Sequence, residues 1–312
     1  MSPPTDRDLD QAVSALRAGR LIILPTETVY GLAADAANPA AIARIFEAKG
    51  RPRFNPLIAH VADVAAARRL AHLDERALSL AEAFWPGPLT LVAPIADAAG
   101  VHDLARAGLD SVALRAPSHP VARQVLAAFG GPIVAPSANR SGRPSPTCLA
   151  DAVAETGGAA AVSLDGGPCA IGLESTVVAL LPGPPRLLRP GSVTREQIVE
   201  IVGPLADDAD EGHRSPGRLT RHYAPNAPVR LDATSIRPGE VFLAFGPFQG
   251  DAAASLTLSA GGDLREAAAN LFACLRAADA RAPVAIAVAP IPETGLGEAI
   301  NDRLRRAAGH IG

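Results

Sequence analysis

The chain has 312 residues, long for one domain and comfortable for two. Apolar residues make up 48% and charged residues 20%, a balance that excludes bulk disorder. Lys and Arg number 29 against 32 Asp and Glu, a formal charge of −3 that excludes a histone-like or polybasic protein but leaves room for a local basic pocket.

Leu9, Val13 and Leu16 recur at helical spacing over residues 8–18, and Gly19 offers a stop. The apolar run 21–24 predicts a buried strand ending at Pro25-Thr26-Glu27-Thr28. A helix over 40–49 carries Ile42, Ile45 and Phe46 on one side and closes at Gly50. A strand is expected over 57–61 and helices over 64–73 and 76–84, the second halted by Trp85-Pro86-Gly87-Pro88. Then come strands 89–92 and 112–114, a helix 119–129, a strand 133–135 and a helix 149–156. Strands 160–164, 175–180 and 186–188 follow, then a short helix 194–201 with Thr194 as N-cap and Gln197 three residues on. Residues 203–220 lose the apolar period, carry Asp207, Asp208, Asp210 and Glu211, and read as a linker. The pattern resumes at Val229, with strands 241–245, 256–258 and 284–288 and helices 263–275 and 295–308. Short strands mixed with helices predict an α/β or α+β fold. The irregular alternation and the lack of a Gly-x-Gly-x-x-Gly run after a strand argue against a regular doubly wound first domain.

Cys148, Cys169 and Cys274 form no Cys-x-x-Cys unit, which fits a reducing compartment rather than a disulfide or thiolate-metal scaffold. The start MSPPTDRDLD lacks the basic and apolar regions of a signal peptide, and no apolar run approaches the length of a membrane span. The expectation is cytoplasmic, with no membrane partner.

Four segments hold polar residues in unusual company. Lys49-Gly50-Arg51-Pro52-Arg53-Phe54-Asn55-Pro56 places three cations within five residues, either a solvated turn or a clamp for phosphate or carboxylate. The run from Pro136 to Thr147 is rich in hydroxyls and small residues, either a long surface loop or a cradle whose N–H groups approach an anion. Glu174-Ser175-Thr176 before a strand and Arg189-Pro190-Gly191-Ser192 after the next could belong to a sheet edge or a site. Thr26-Glu27-Thr28 sits directly after a buried strand, where α/β proteins place ligands or a helix begins. Ser111 and Arg115 flank another strand, and His60, alone at a strand end, reads as a structural histidine. Walker, nucleophile-elbow and zincin motifs are absent from the sequence, so pattern alone gives an anion-binding cleft with its chemistry open.

Taken together, PTETVYGL (25–32), KGRPRFNPLIAH (49–60), FWPGPLT (84–90), LDSVALRAPSHP (109–120), APSANRSGRPSPT (135–147), GLESTVV (172–178), LRPGSVT (188–194) and the linker SPGRLTRHYAP (215–225) resemble the Sua5 branch of the YrdC/Sua5 family. The Arg-Leu-Arg-Arg-Ala-Ala cadence of the tail matches it too. The resemblance implies an α/β fold: a YrdC-like twisted mixed sheet with flanking helices and a concave cleft over 1–202, a linker or lid over 203–228, and a smaller Rossmann-like domain over 229–312. It implies synthesis of L-threonylcarbamoyladenylate and pyrophosphate from L-threonine, bicarbonate and ATP, for N6-threonylcarbamoyladenosine at tRNA position 37. It assigns threonine to Thr28, His60, Arg115 and Ser175. It assigns the nucleotide to Arg51, Asn55, Ser111, Ala135, Ser137, Ser145, Arg189 and Tyr223, and catalysis to Lys49, Arg51, Arg115, Ser137 and Asn139. Mg²⁺ is expected with ATP, held by phosphates and water rather than by a protein cage. The product would pass to a tRNA threonylcarbamoyl transferase complex, with at most weak tRNA binding here. The alternative is an RNA- or tRNA-binding module of the same fold without synthase activity. Two departures from the family pattern stand out: Arg53-Phe54 after Arg51-Pro52, and Gly217-Arg218-Leu219-Thr220 before Arg221-His222-Tyr223.

Overall fold

The computed structural model describes residues 4–52, 54–96, 100–206, 222–248 and 250–309. Helix ends in the first domain are set by local chemistry. Thr5 and Asp8 form a capping box on α1 (Asp6–Arg17), and Asn38 caps α2 (Pro39–Lys49), whose first residue is a proline. Gly50 then takes φ +57° and turns the chain sharply out of α2, so Lys49 and Arg51 leave the helix in a fixed direction.

The strands of this domain are β1 (Leu21–Leu24), β2 (Gly31–Asp35), β3 (Ile58–His60), β4 (Leu89–Pro94), β5 (Ser111–Arg115), β6 (Ile133–Val134), β7 (Ala160–Ser163), β8 (Thr176–Ala179) and β9 (Arg186–Arg189). Between and after them lie α3 (Val64–Arg68), α4 (Glu75–Phe84), α5 (Asp103–Arg106), α6 (Pro120–Phe129), α7 (Leu149–Thr156) and α8 (Arg195–Val202). The strands form one sheet in the order β7-β1-β2-β6-β3-β5-β4-β8-β9. Parallel pairs (β1/β7, β3/β5, β4/β8) are mixed with antiparallel ones, which explains why the sequence lacks a βαβ rhythm. The expected mixed α/β sheet is therefore present.

Several expected elements differ in extent. Strand β2 was not expected, because Gly-Leu-Ala-Ala-Asp has no β-branched residue; its pairing with β1, Ile22 opposite Ala33, carries it instead. The helix expected to reach residue 73 ends at Arg68, the strand 57–61 shortens to three residues, and α5 had no forecast. In α8, Thr194 and Gln197 form the capping box their spacing predicts.

The second domain has β10 (Val229–Arg230), β11 (Glu240–Phe245), β12 (Ser255–Ser259), α9 (Leu264–Asp279), β13 (Ala285–Val288) and α10 (Leu296–Ala307). Its sheet runs β10-β13-β11-β12 with every pair parallel, as a Rossmann-like unit requires. Most of the linker, residues 207–221, lies outside the described residues. The two domains share a core: Val29 and Leu173 of the first pack with Tyr223, Leu271, Phe272 and Ile300. Among the described residues, no helix is long and apolar enough to cross a membrane.

Candidate active site

The loop between β1 and β2 runs 25–30 and is wholly buried, although it carries Thr26, Glu27 and Thr28. Buried backbone must be hydrogen-bonded. Here Tyr30 N donates to Pro146 O, Ala138 N to Tyr30 O, and Ile171 N to Glu27 O, so this loop is stitched to the 136–147 loop and to the chain just before Glu174. The segments singled out in the sequence thus meet around one cleft.

Nine of the expected site residues line it: Thr28, Arg51, His60, Arg115, Ala135, Ser137, Ser175, Arg189 and Tyr223. The other five, Lys49, Asn55, Ser111, Asn139 and Ser145, are buried and are not among the lining residues. Lys49 Nζ donates to the carbonyls of Ser137 and Asn139 and so sets the shape of that loop. Burial, then the nearby Arg51, hold its ammonium well below the usual lysine range. Asn139 Nδ2 donates to the carbonyls of Arg140 and Arg143 at 2.8 and 2.9 Å. Ser145 Oγ donates to Glu174 Oε1.

Arg115, at the end of β5, is almost fully used. Its Nη2 meets Glu27 Oε1 at 2.5 Å, Nη1 meets Thr28 Oγ1 at 2.8 Å and Nε meets Gly87 O at 3.2 Å. Glu27 in turn accepts from the N–H groups of Ser118 and His119 through Oε2. Burial opposes ionisation of Glu27, but the charge and hydrogen bond of Arg115 outweigh it and hold the carboxyl below its ordinary value. Glu27 acts as the backing of Arg115. It was not among the expected site residues, and its place in the Thr26-Glu27-Thr28 cluster was the available signal.

A second group of charges gathers Arg51, Arg189, Glu174 and His222. Arg51 donates to Pro56 O at 3.1 Å; burial, then Arg189, lower its pKa to about 10, so it remains a cation at neutral pH. Arg189 holds Ser175 through its carbonyl at 3.0 Å and its hydroxyl at 3.1 Å, and that hydroxyl also pairs with Thr90 at 2.7 Å. Glu174 and His222 also line the cleft, and neither was expected. Tyr223 follows with φ +59°, unusual for an aromatic residue, and is held by ring contacts to His222 at 4.0 Å and Phe272 at 5.3 Å.

Asn55 Oδ1, His60 Nδ1, Ser111 Oγ, Asn139 Oδ1 and His222 Nδ1 are buried without a hydrogen-bond partner among the described residues. Such atoms are rare in native proteins; two of these, on His60 and His222, belong to cleft-lining residues, while others such as Asp165 Oδ2 and Ser192 Oγ lie outside the lining. No group of three or more His, Cys, Asp or Glu side chains suited to a metal occurs among the described residues.

Burial, then Arg115, push His60 down to about 3, so it is neutral at physiological pH and offers a neutral ring to a ligand. In the unfolded chain it titrates near 6.5. Its folded pKa is depressed, so its contribution is complete above that value and is lost progressively as pH falls toward 3. Between pH 6.5 and 5 this costs about 2 kcal/mol, at about 1.4 kcal/mol per pH unit. His60→Asn is expected to lose that much less stability than the parent between pH 7 and 5, read from urea midpoints.

A family model for Sua5, YciO and YrdC, described as telomere recombination, matches residues 14–191, and one for the threonylcarbamoyl-AMP synthase C-terminal domain matches residues 193–309. Among curated proteins, threonylcarbamoyl-AMP synthase of Bacillus subtilis is 39% identical over 97% of this chain and 94% of its own length. That of Pyrococcus abyssi is 39% identical over 96% and 93%. The crystal structure of P. abyssi Sua5 complexed with L-threonine superposes with a TM-score of 0.90 at 38% identity, covering 99% of this chain and 96% of that one.

Proposed function

The chain belongs to the YrdC/Sua5 family in its two-domain Sua5 form, and on that premise we propose how its cleft makes L-threonylcarbamoyladenylate, pyrophosphate and water from L-threonine, bicarbonate and ATP. The observation that carries the reading is the single cleft lined by two separate charge groups, Arg115 with Thr28 and His60, and Arg51 with Arg189 and Tyr223.

Arg115 receives the threonine carboxylate, its fork already oriented by Glu27, while Thr28, His60 and Ser175 take the amine and hydroxyl. Arg51 and Arg189 neutralise the phosphates. Ala135 and Ser137 hold the rest of the nucleotide, with Asn55, Ser111 and Ser145 assigned to it by the family resemblance alone, and Lys49 and Asn139 keep the Ser137 loop in shape. The threonine amine attacks bicarbonate, water leaves, and a carbamate oxygen attacks the α-phosphorus to expel pyrophosphate. No covalent protein nucleophile is needed; alignment and charge neutralisation supply the catalysis. Carbamates lose CO₂ readily, so burial of the site protects the intermediate.

ATP enters as its Mg²⁺ complex. Glu174 is the one carboxylate in the described lining and is held by Arg303 and Ser145, so the ion stays with the phosphates and water. The domains are taken as 1–202 and 229–312, and Tyr223, in the described part of the segment joining them, lies against the nucleotide. The product is handed in the cytoplasm to a tRNA threonylcarbamoyl transferase complex, and tRNA binding is weak at most.

The reading is tested by amino-acid discrimination. L-Valine lacks the hydroxyl and leaves buried polar groups unpaired, so kcat/KM for ATP-dependent pyrophosphate release should fall at least about a hundredfold relative to L-threonine. Equal rates would show that Thr28, His60 and Ser175 do not recognise the threonine hydroxyl.

A further inference from the structure

The second domain sends one side chain into the wall of the cleft. Arg303, on α10, has no solvent exposure, rare for an arginine. Its Nε donates to Glu174 Oε2 at 3.0 Å, and its Nη1 donates to Pro190 O at 2.8 Å and to Asp302 Oδ2 at 2.8 Å. The guanidinium also lies 5.5 Å from the centre of the Tyr223 ring. One fork therefore touches the segment before β8, the segment after β9 and the end of the linker.

Glu174 is the cleft's anion. It lines the same cavity as Arg51 and Arg189, and its other oxygen takes the Ser145 hydroxyl. Without a partner cation it would repel a triphosphate and draw a phosphate-binding arginine to itself. Burial opposes its ionisation, yet Arg303 and then Arg189 hold its carboxyl below the ordinary value.

We propose that Arg303 is a positioning residue for the nucleotide half of the site: it neutralises and holds Glu174, fixes the Arg189-Pro190 turn and supports Tyr223, so that the second domain completes the ATP site. This rests on the functional reading above and goes beyond it, since it gives the second domain a part in binding.

The test uses the full chain with Arg303→Met, Arg303→Lys, Glu174→Gln and the double variant Arg303→Met/Glu174→Gln. ATP affinity is measured by calorimetry, and the KM values for ATP and L-threonine by pyrophosphate release. Arg303→Met should weaken ATP binding about tenfold or more, with the threonine KM within about twofold. The double variant should bind ATP within about threefold of Glu174→Gln alone, because the unpaired charge is gone. Arg303→Lys, which keeps the charge but not the fork, should fall between, and it supplies the answer if Arg303→Met does not fold. Unchanged ATP affinity in the folded variants, parallel loss of both substrates, or no recovery in the double variant would overturn the proposal. Failure of the functional reading is separate: the parent chain would then show no threonine-dependent release, while the calorimetric difference between variants could still be read.

Discussion

Arg115→Ala is expected to lower kcat/KM for L-threonine by at least about a hundredfold while leaving the ATP KM within about threefold. In the proposed site the side chain supplies the cation of the amino-acid half, and it is already held by Glu27, Thr28 and Gly87. Its loss also strands Glu27, a buried carboxylate, which costs about 3–5 kcal/mol of stability when a partner is removed. The two effects separate in the double variant Arg115→Ala/Glu27→Gln. Stability should return in large part, since no buried charge is left unpaired, and threonine affinity should not. Equal loss of threonine and ATP would place Arg115 in the scaffold rather than in the amino-acid site.

Gly172→Ala should undock the second domain. Gly172 has φ +74°, a conformation a side chain rarely adopts, and a Cβ there would lie 2.5 Å from the Cα of Ala269 and 2.6 Å from the carbonyl oxygen of Ala268, both on α9. Backbone on both sides leaves nothing flexible to yield. The next residue, Leu173, is fully buried in the core shared by the domains. We expect a loss of about 2–4 kcal/mol of stability, combining left-handed strain with overpacking. Synthesis should fall more than tenfold, because Arg303 and Tyr223 reach the cleft through this contact. Proteolysis between the domains at native temperature, with thermal melting of each, is the check. A single cooperative melt with full activity would show that α9 can move aside at no cost.

The sequence made local features legible. Short apolar runs marked β1, β8 and β9, the Thr194 and Gln197 pair marked α8, and Gly50 marked the end of α2. The polar loops were legible as candidates because a buried strand runs into each of two of them, but only the fold brings them together. What stayed hidden was set by distant partners. Strand β2 exists through its neighbours rather than its propensity. Glu27 is explained by an arginine 88 residues away and Glu174 by one 129 residues away, and a carboxylate in an anion-binding cleft has no local signature. The second domain showed no catalytic constellation in its sequence because its proposed contribution is one of three arginines on an amphipathic helix.

The most direct measurement is pyrophosphate release from MgATP and ¹³C-bicarbonate with and without L-threonine, paired with the mass of the nucleotide product. The account predicts release that depends on L-threonine and an adenylate carrying both threonine and the labelled carbon. Release independent of threonine, or an adenylate without the label, would contradict it, and no nucleotide binding at all would favour an RNA-binding role for the same cleft.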